Sequence, residues 1–272
     1  MLEAAPHLQD WEFVKLRDLV YREAGIWLSD AKTALVASRL QRRLRELRMP
    51  SFGAYHRLAL GDAREKQRML EAICTHETAF FREPKQWEFL EARAFPLLRA
   101  QAGRGERPAR VRAWSAGCST GEEPFTIAMS LLRNLPGFQV DVLASDLSER
   151  ALDAARAAEW PLSRAGQIPP TYLREYMLRS EGRMRAGPKL RELVRFARIN
   201  LNDLPADGGA WDLIFCRNVL IYFDGASKKR VLDALVQRLA PGGLLLLGHA
   251  EAVGHSMHGM RSVVPTIWTA AA

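Results

Sequence analysis

The sequence predicts a chain in two parts: a helical N-terminal region, then an α/β domain whose parallel sheet carries helices on both faces. Three observations lead there. From Arg110 onward, short apolar runs alternate with helical stretches, the pattern that successive βαβ units leave in a sequence. Before it, the first 75 or so residues place apolar side chains at helical spacing. Where the second part begins, a run of small residues, Ser115 to Gly121, separates a strand from a helix. With 272 residues, 48% of them hydrophobic, the chain can bury a sizeable core, so disorder is not the default reading.

The clearest N-terminal helix lies in LSDAKTALVASRLQRRLRELRMP. Ser29 or Asp30 supplies the cap, Val36, Leu40, Leu44 and Leu47 form the apolar stripe, and the helix stops before Pro50. On a helical wheel Arg39, Arg42 and Arg45 fall opposite that stripe, with Arg43 and Arg48 flanking it. Such a face is either solvated charge or a docking surface for an acidic partner. THETAFFREPKQWEFL reads as a loop and a helix, and QAGRGERP as a glycine-rich charged spacer. Strand RVRAWSAG, a helix near Glu122 to Leu135, strand VDVLASD and a helix near Ser148 to Glu159 follow. Strand WDLIFCRN, a helix near Ala226 to Leu239, strand GGLLLLGHA and a closing strand TIWTA complete the pattern. Between Tyr176 and Ile199 the alternation breaks, and that stretch reads as a small β-hairpin insertion.

The formal net charge of +8 raises nucleic acid as a partner, but the excess is local. Residues 179–198 hold seven basic and two acidic side chains, and the other cluster is the arginine-rich helix. Cys74, Cys118 and Cys216 stand far apart with no C-x-x-C spacing, so reduced structural thiols are expected and no metal site. Met1 to Leu16 lacks a basic start followed by an apolar run, so no secretory leader is expected. The apolar run at Leu244 to Leu247 is too short to cross a bilayer. A cytosolic protein without membrane insertion is the expectation.

The strongest chemical signal is WSAGCSTGEEPFTIAM. Small residues after the first strand let a ligand approach the backbone, at the place where doubly wound sheets hold nucleotide-like ligands. The loop has no lysine and is not a phosphate cradle. Glu122 and Glu123 at the helix start either complement the helix dipole or receive a cationic ligand such as a sulfonium amino acid. Asp146, ending VLASD, either caps the next helix or accepts hydrogen bonds from both ribose hydroxyls, and its place after the strand favours the ribose. Arg217 and Asn218 end the strand of FCRNVLIYF, with Tyr222 beyond them; each is either a site residue or an ordinary buried hydrogen-bonding group.

Taken in order, THETAFFREP, WSAGCSTGEEPFTIAM, ASDLSERAL and FCRNVLIYFD resemble the CheR family of chemotaxis receptor methyltransferases, from YREAGIWLSDAK to GHAEAV. The resemblance implies an all-α N-terminal domain with a cofactor-covering linker (1–85), then a class I, Rossmann-like methyltransferase domain (86–272). A β-subdomain is inserted at about 176–199. It implies transfer of a methyl group from S-adenosyl-L-methionine to receptor glutamates, leaving S-adenosyl-L-homocysteine and using no metal. Cofactor contacts then fall on His76, Thr78, Arg82, Glu123, Asp146, Asn200, Leu201, Arg217 and Asn218, with His76 standing where many members carry Asn. Arg82 and Tyr222 match residues beside the transferring methyl, the catalytic pair, and Arg39, Arg42, Arg43 and Arg45 match receptor-facing arginines. The implied partner is the cytoplasmic helical domain of methyl-accepting chemotaxis receptors, reached from the cytoplasm at membrane receptor arrays. The short hairpin turn RSEG points to binding that is independent of a receptor pentapeptide.

A nucleic-acid methyltransferase would be expected to carry an N-P-P-Y-like or D-P-P-Y-like motif, and the sequence has none. A non-catalytic S-adenosylmethionine-binding scaffold is the other alternative.

Overall fold

The computed structural model describes residues 6–204, 209–251 and 259–270. Two compact units divide the chain, one built from residues up to Thr75 with Asn200–Asp203 and Tyr222–Val231, the other from the remainder.

The first unit is helical: α1 (Asp10–Ala24), α2 (Thr33–Glu46), α3 (Phe52–Gly61) and α4 (Ala63–Ile73). Glu12 is buried in α1, and its carboxylate accepts the Gln9 and Gly53 N–H groups, tying α1 to α3. The expected cap at Ser29 or Asp30 opens a 3-10 turn over Asp30–Lys32, and the α-helix itself starts at Thr33. Val36, Leu40 and Leu44 are buried as the stripe predicts. The arginines of α2 divide into two pairs. Arg43 grips the buried Glu65 with two bonds of 2.7 and 2.6 Å, and Tyr55 donates to the same carboxylate at 2.9 Å. Arg39, placed opposite the stripe by the wheel, reaches instead to the carbonyls of Ile73 and Cys74 and to Thr75 Oγ1 at 2.9 Å, because its long arm spans to the end of α4. Arg42 and Arg45 are exposed; Arg42 pairs only with Glu46 on its own helix, and Arg45 has no partner among the described residues.

The two later segments of this unit are fastened to α1 and the turn after it. Asn200 Nδ2 donates to the Glu23 carbonyl at 2.6 Å and Tyr21 OH to Asp224 Oδ2 at 3.0 Å. The Trp27 N–H donates to the Tyr222 carbonyl at 2.7 Å.

The second unit opens with α5 (Pro84–Phe89) and, beyond a π-helical turn at Leu90–Ala94, α6 (Phe95–Gly103). Then come β1 (Arg110–Ala116), α7 (Glu122–Asn134), β2 (Gln139–Asp146), α8 (Glu149–Ala157) and β3 (Glu159–Pro161). They are followed by α9 (Pro170–Tyr176), β4 (Met177–Ser180), β5 (Arg183–Ala186), α10 (Pro188–Leu193), β6 (Val194–Arg198) and β7 (Trp211–Cys216). Helix α11 (Gly225–Val236), β8 (Leu239–Leu247), β9 (Met260–Val264) and β10 (Ile267–Ala270) close the chain. The main sheet runs β6-β2-β1-β7-β8-β10-β9; its first five strands are mutually parallel, and β10 is antiparallel to both β8 and β9. Val142, Ala144, Leu213, Phe215 and Leu246 of the strands pack with Phe125, Ile127 and Leu131 of α7 in one core.

The stretch expected to form a hairpin divides. Met177 to Ala186 does form one, but its third strand is β3, and Val194–Arg198 joins the main sheet as its edge beside β2. An edge strand exposes one side to water, so VRFAR carries surface arginines and reads like part of the insertion. No helix among the described residues is long and apolar enough to cross a membrane.

Candidate active site

Strand order reverses beside β1, with β2 and β6 on one side and β7 and β8 on the other. In open α/β sheets, ligands bind outside the strands' carboxyl ends at such a switch point.

The loop after β1 is a tight cradle. Gly117, Ser119 and Gly121 all have left-handed backbone, with φ of 96, 50 and 96°. Gly117 admits no side chain, since an added Cβ would stand 2.4 Å from Val219 Cγ2. The N–H groups of Gly117 and Cys118 donate to the Ser145 carbonyl, and that of Ser119 to Asp146 Oδ2, lacing the loops after β1 and β2 together.

The two acids opening α7 have separate roles. Glu122 is buried, accepts from Thr120 Oγ1 at 2.6 Å and faces Arg164 at 3.6 Å, so it is spent inside the fold. Glu123 accepts from the Ser115 hydroxyl at 2.7 Å and from Arg217 at 3.3 Å. Burial pushes its carboxyl pKa up; Arg217 opposes the rise, and the charges of Glu83 and Glu251 add to it. Asp146 takes the Ser119 and Ser148 N–H groups at 2.8 and 2.9 Å, while Ser148 caps α8 by accepting from Ala151. The cap is therefore Ser148. With about four acceptor sites on a carboxylate, Asp146 keeps capacity for a ribose.

Arg217 ends β7 with its side chain 1% exposed. Besides Glu123 it faces Glu83 Oε2 at 3.5 Å, donates to the Arg82 carbonyl and lies 6.0 Å from the Trp87 ring centroid. Trp87 Nε1 donates to that same carbonyl at 3.0 Å, and the Arg82 guanidinium donates to the Glu77 carbonyl at 3.1 Å. The flanking Phe81 and Glu83 are left-handed, at φ 49 and 59°. The run is further held by Phe80 N–H to Gln167, Phe81 N–H to Thr126, and Arg164 to the Thr78 carbonyl. His76 and Thr78 are half-buried on it.

Glu123, Asp146, Arg217, Asn218 and the Arg82 backbone thus come together in the α/β unit. Asn200, Leu201 and Tyr222 belong to the helical unit, where Leu201 is buried and Asn200 is bonded to Glu23. Two polar atoms of the crevice, Asn218 Oδ1 and Ser119 Oγ, are buried with no hydrogen-bond partner. Leaving such atoms unpaired is costly, so each is suited to a polar ligand group. Glu83 and Glu251 have no signal in the sequence, since lone acids before a proline and after a strand carry no periodic or motif pattern. Among the described residues no group of three or more His, Cys, Asp or Glu side chains could hold a metal ion.

A sheet of this order, with acids ringing the loops after β1 and β2, defines a class I S-adenosylmethionine-dependent methyltransferase fold preceded by an all-α domain. Residues 76–269 match the family described as "CheR methyltransferase, SAM binding domain", and residues 11–74 "CheR methyltransferase, all-alpha domain". "Chemotaxis protein methyltransferase 2" of Pseudomonas aeruginosa is 41% identical over 275 residues, covering 97% of this chain and 95% of the relative. "Chemotaxis protein methyltransferase" of Escherichia coli is 39% identical over 261 residues, covering 91% and 86%. The chain belongs to the CheR methyltransferase family.

Proposed function

We propose that this protein methylates glutamate side chains of chemoreceptors, using S-adenosylmethionine and forming methyl esters that serve chemotactic adaptation. One observation carries the cofactor half of this reading: the charges of Glu83 and Glu251 both reach Glu123, and the buried Arg217 guanidinium faces Glu83 and Glu123. That excess of negative charge suits a cationic sulfonium amino acid and repels a phosphate. By resemblance to the family, the residues that would hold it are His76, Thr78, Arg82, Glu123, Asp146, Asn200, Leu201, Arg217 and Asn218. Asp146 takes the ribose and Glu123 the cationic end.

When bound, the cofactor supplies an activated methyl group. A glutamate acceptor is already ionised at neutral pH, so no general base is needed and positioning supplies most of the rate. Arg82 and Tyr222 orient the incoming carboxylate. Residues 1–85 act as the receptor-reading domain and cofactor-covering linker, and 86–272 as the catalytic part. Arg42 and Arg45 meet the receptor's helical domain, while Arg39 and Arg43 hold the helix that presents them. Only Glu181 and Gly182 join β4 to β5, and this short turn supports recognition without a receptor pentapeptide. The work is done in the cytoplasm, at receptor arrays. The similarity to chemotaxis protein methyltransferases such as that of Escherichia coli supports this reading.

The test is incubation with methyl-labelled cofactor and receptor-bearing membranes. Base-labile label on the receptor is the expected result. Label that resists base, or that appears on nucleic acid instead, would sink the reading.

A further inference from the structure

Glu251 follows β8 in the run GHAEAV, and it is fully buried. Four backbone N–H groups converge on its carboxylate. Oε1 accepts from Val219 and Leu220, each at 2.6 Å, and Oε2 from Asn218 at 2.8 Å and Gly248 at 2.6 Å. A carboxylate offers about four acceptor sites and no donor, so its capacity is filled by main chain alone. Three of those donors are consecutive, a concave nest of amides closing on one anion. Asn218, first of the three, holds φ 60°, in the left-handed region that asparagine enters more readily than most residues with a side chain. There is no slack on the other side either: an added Cβ at Gly248 would stand 2.8 Å from Glu251 Oε2 and 2.9 Å from the Asn218 nitrogen.

We propose that Glu251 is a positioning residue of the site, the template on which the 217–220 backbone is formed, so that Arg217 and the unpartnered Asn218 Oδ1 face the cofactor. The inference rests on the methyl-donor reading above. A carboxylate is required because glutamine offers one acceptor oxygen, and its NH2 group would confront donors that now bond to the second oxygen.

The test compares Glu251→Gln and Glu251→Asp with a control, Asp212→Asn. Asp212 also accepts a backbone N–H, that of Arg112, but lies at the opposite end of β7. Wild-type binding of S-adenosylmethionine and S-adenosylhomocysteine is measured first by calorimetry; failure to bind either removes the methyl-donor reading, independently of Glu251. Given wild-type binding, Glu251→Gln is expected to weaken both ligands by about tenfold or more, as two stranded buried donors imply. It should raise the KM for cofactor more than it lowers kcat. Glu251→Asp, which keeps the charge on a shorter arm, should recover part of the affinity, and Asp212→Asn should lower Tm while leaving cofactor affinity within about twofold. Wild-type affinity in Glu251→Gln, or loss in the control proportionate to its loss of Tm, overturns the proposal. If Glu251→Gln does not fold, amide exchange in cofactor-free wild type decides. Slow exchange at Asn218, Val219, Leu220 and Gly248 is expected, and fast exchange there would show that no template is preformed.

Discussion

Glu123 is the residue whose ionisation the proposed reaction needs most. Its raised pKa has burial as the first cause, because desolvation disfavours the ionised form. The sign for stability follows: the contribution is fully present below the ordinary carboxylate range and is lost as pH rises through the raised folded value. A cationic ligand reverses the preference, because a positive charge beside the carboxyl favours its ionised form. S-adenosylmethionine binding should therefore release a proton near that raised pKa, and affinity should fall as the solution is acidified. Calorimetry in two buffers of different ionisation enthalpy reads the proton directly. In Glu123→Gln the release should vanish and the pH dependence flatten; equal proton release in the variant would remove Glu123 from the cofactor's cationic end. Arg82 offers a second test at this scale. Among the described residues its side chain makes one hydrogen bond, to the Glu77 carbonyl, so Arg82→Ala should cost little in Tm while methyl transfer falls by about 100-fold or more. Intact turnover in the folded variant would remove Arg82 from the acceptor site.

Among the elements, the β1–α7 loop combines backbone strain with close packing. Gly117→Ala would place a side chain at φ 96° and drive its Cβ against Val219. The left-handed conformation alone costs about 1–2 kcal/mol, and the clash pushes on the backbone that presents Asn218. Thermal melts should show a loss of several degrees with cofactor affinity falling beside it; a loss of Tm with affinity intact would mean the loop yields away from the crevice. This loop was legible in advance because small residues between a strand and a helix have few other uses, and Asp146 because it ends a run of apolar residues. Strand β9 was not, since MRSVV is short and pairs only with β10. In the sequence, edge strand β6 reads as part of an insertion, its arginines outweighing its apolar alternation. Glu83 and Glu251 are not legible for a different reason: their partners are backbone groups, one distant arginine and the His249 ring, and a sequence carries no mark of which groups a carboxylate will meet.

For the whole molecule, the +8 charge matters through where its exposed cations lie. On α2 the same residue type does two jobs. Arg43→Ala removes the two-bond partner of the Glu65 carboxylate, whose side chain is 4% exposed and whose pKa Arg43 holds down, and leaves it Tyr55 and Arg68, so the helical unit should lose about 1–3 kcal/mol. Because Glu65 sits below its ordinary value, that stabilisation is present above the ordinary carboxylate range and fades as pH falls through the folded one. Arg42 and Arg45 have no such duty. The double variant Arg42→Glu, Arg45→Glu gives up one exposed pair. Its Tm and its affinity for S-adenosylmethionine should match wild type, while its KM for receptor rises about tenfold or more and the wild type's advantage shrinks as salt screens the contact. A receptor KM unchanged by that reversal would return the arginine face to plain solvated charge and move receptor recognition to another surface; a fall in cofactor affinity would tie the two binding events together.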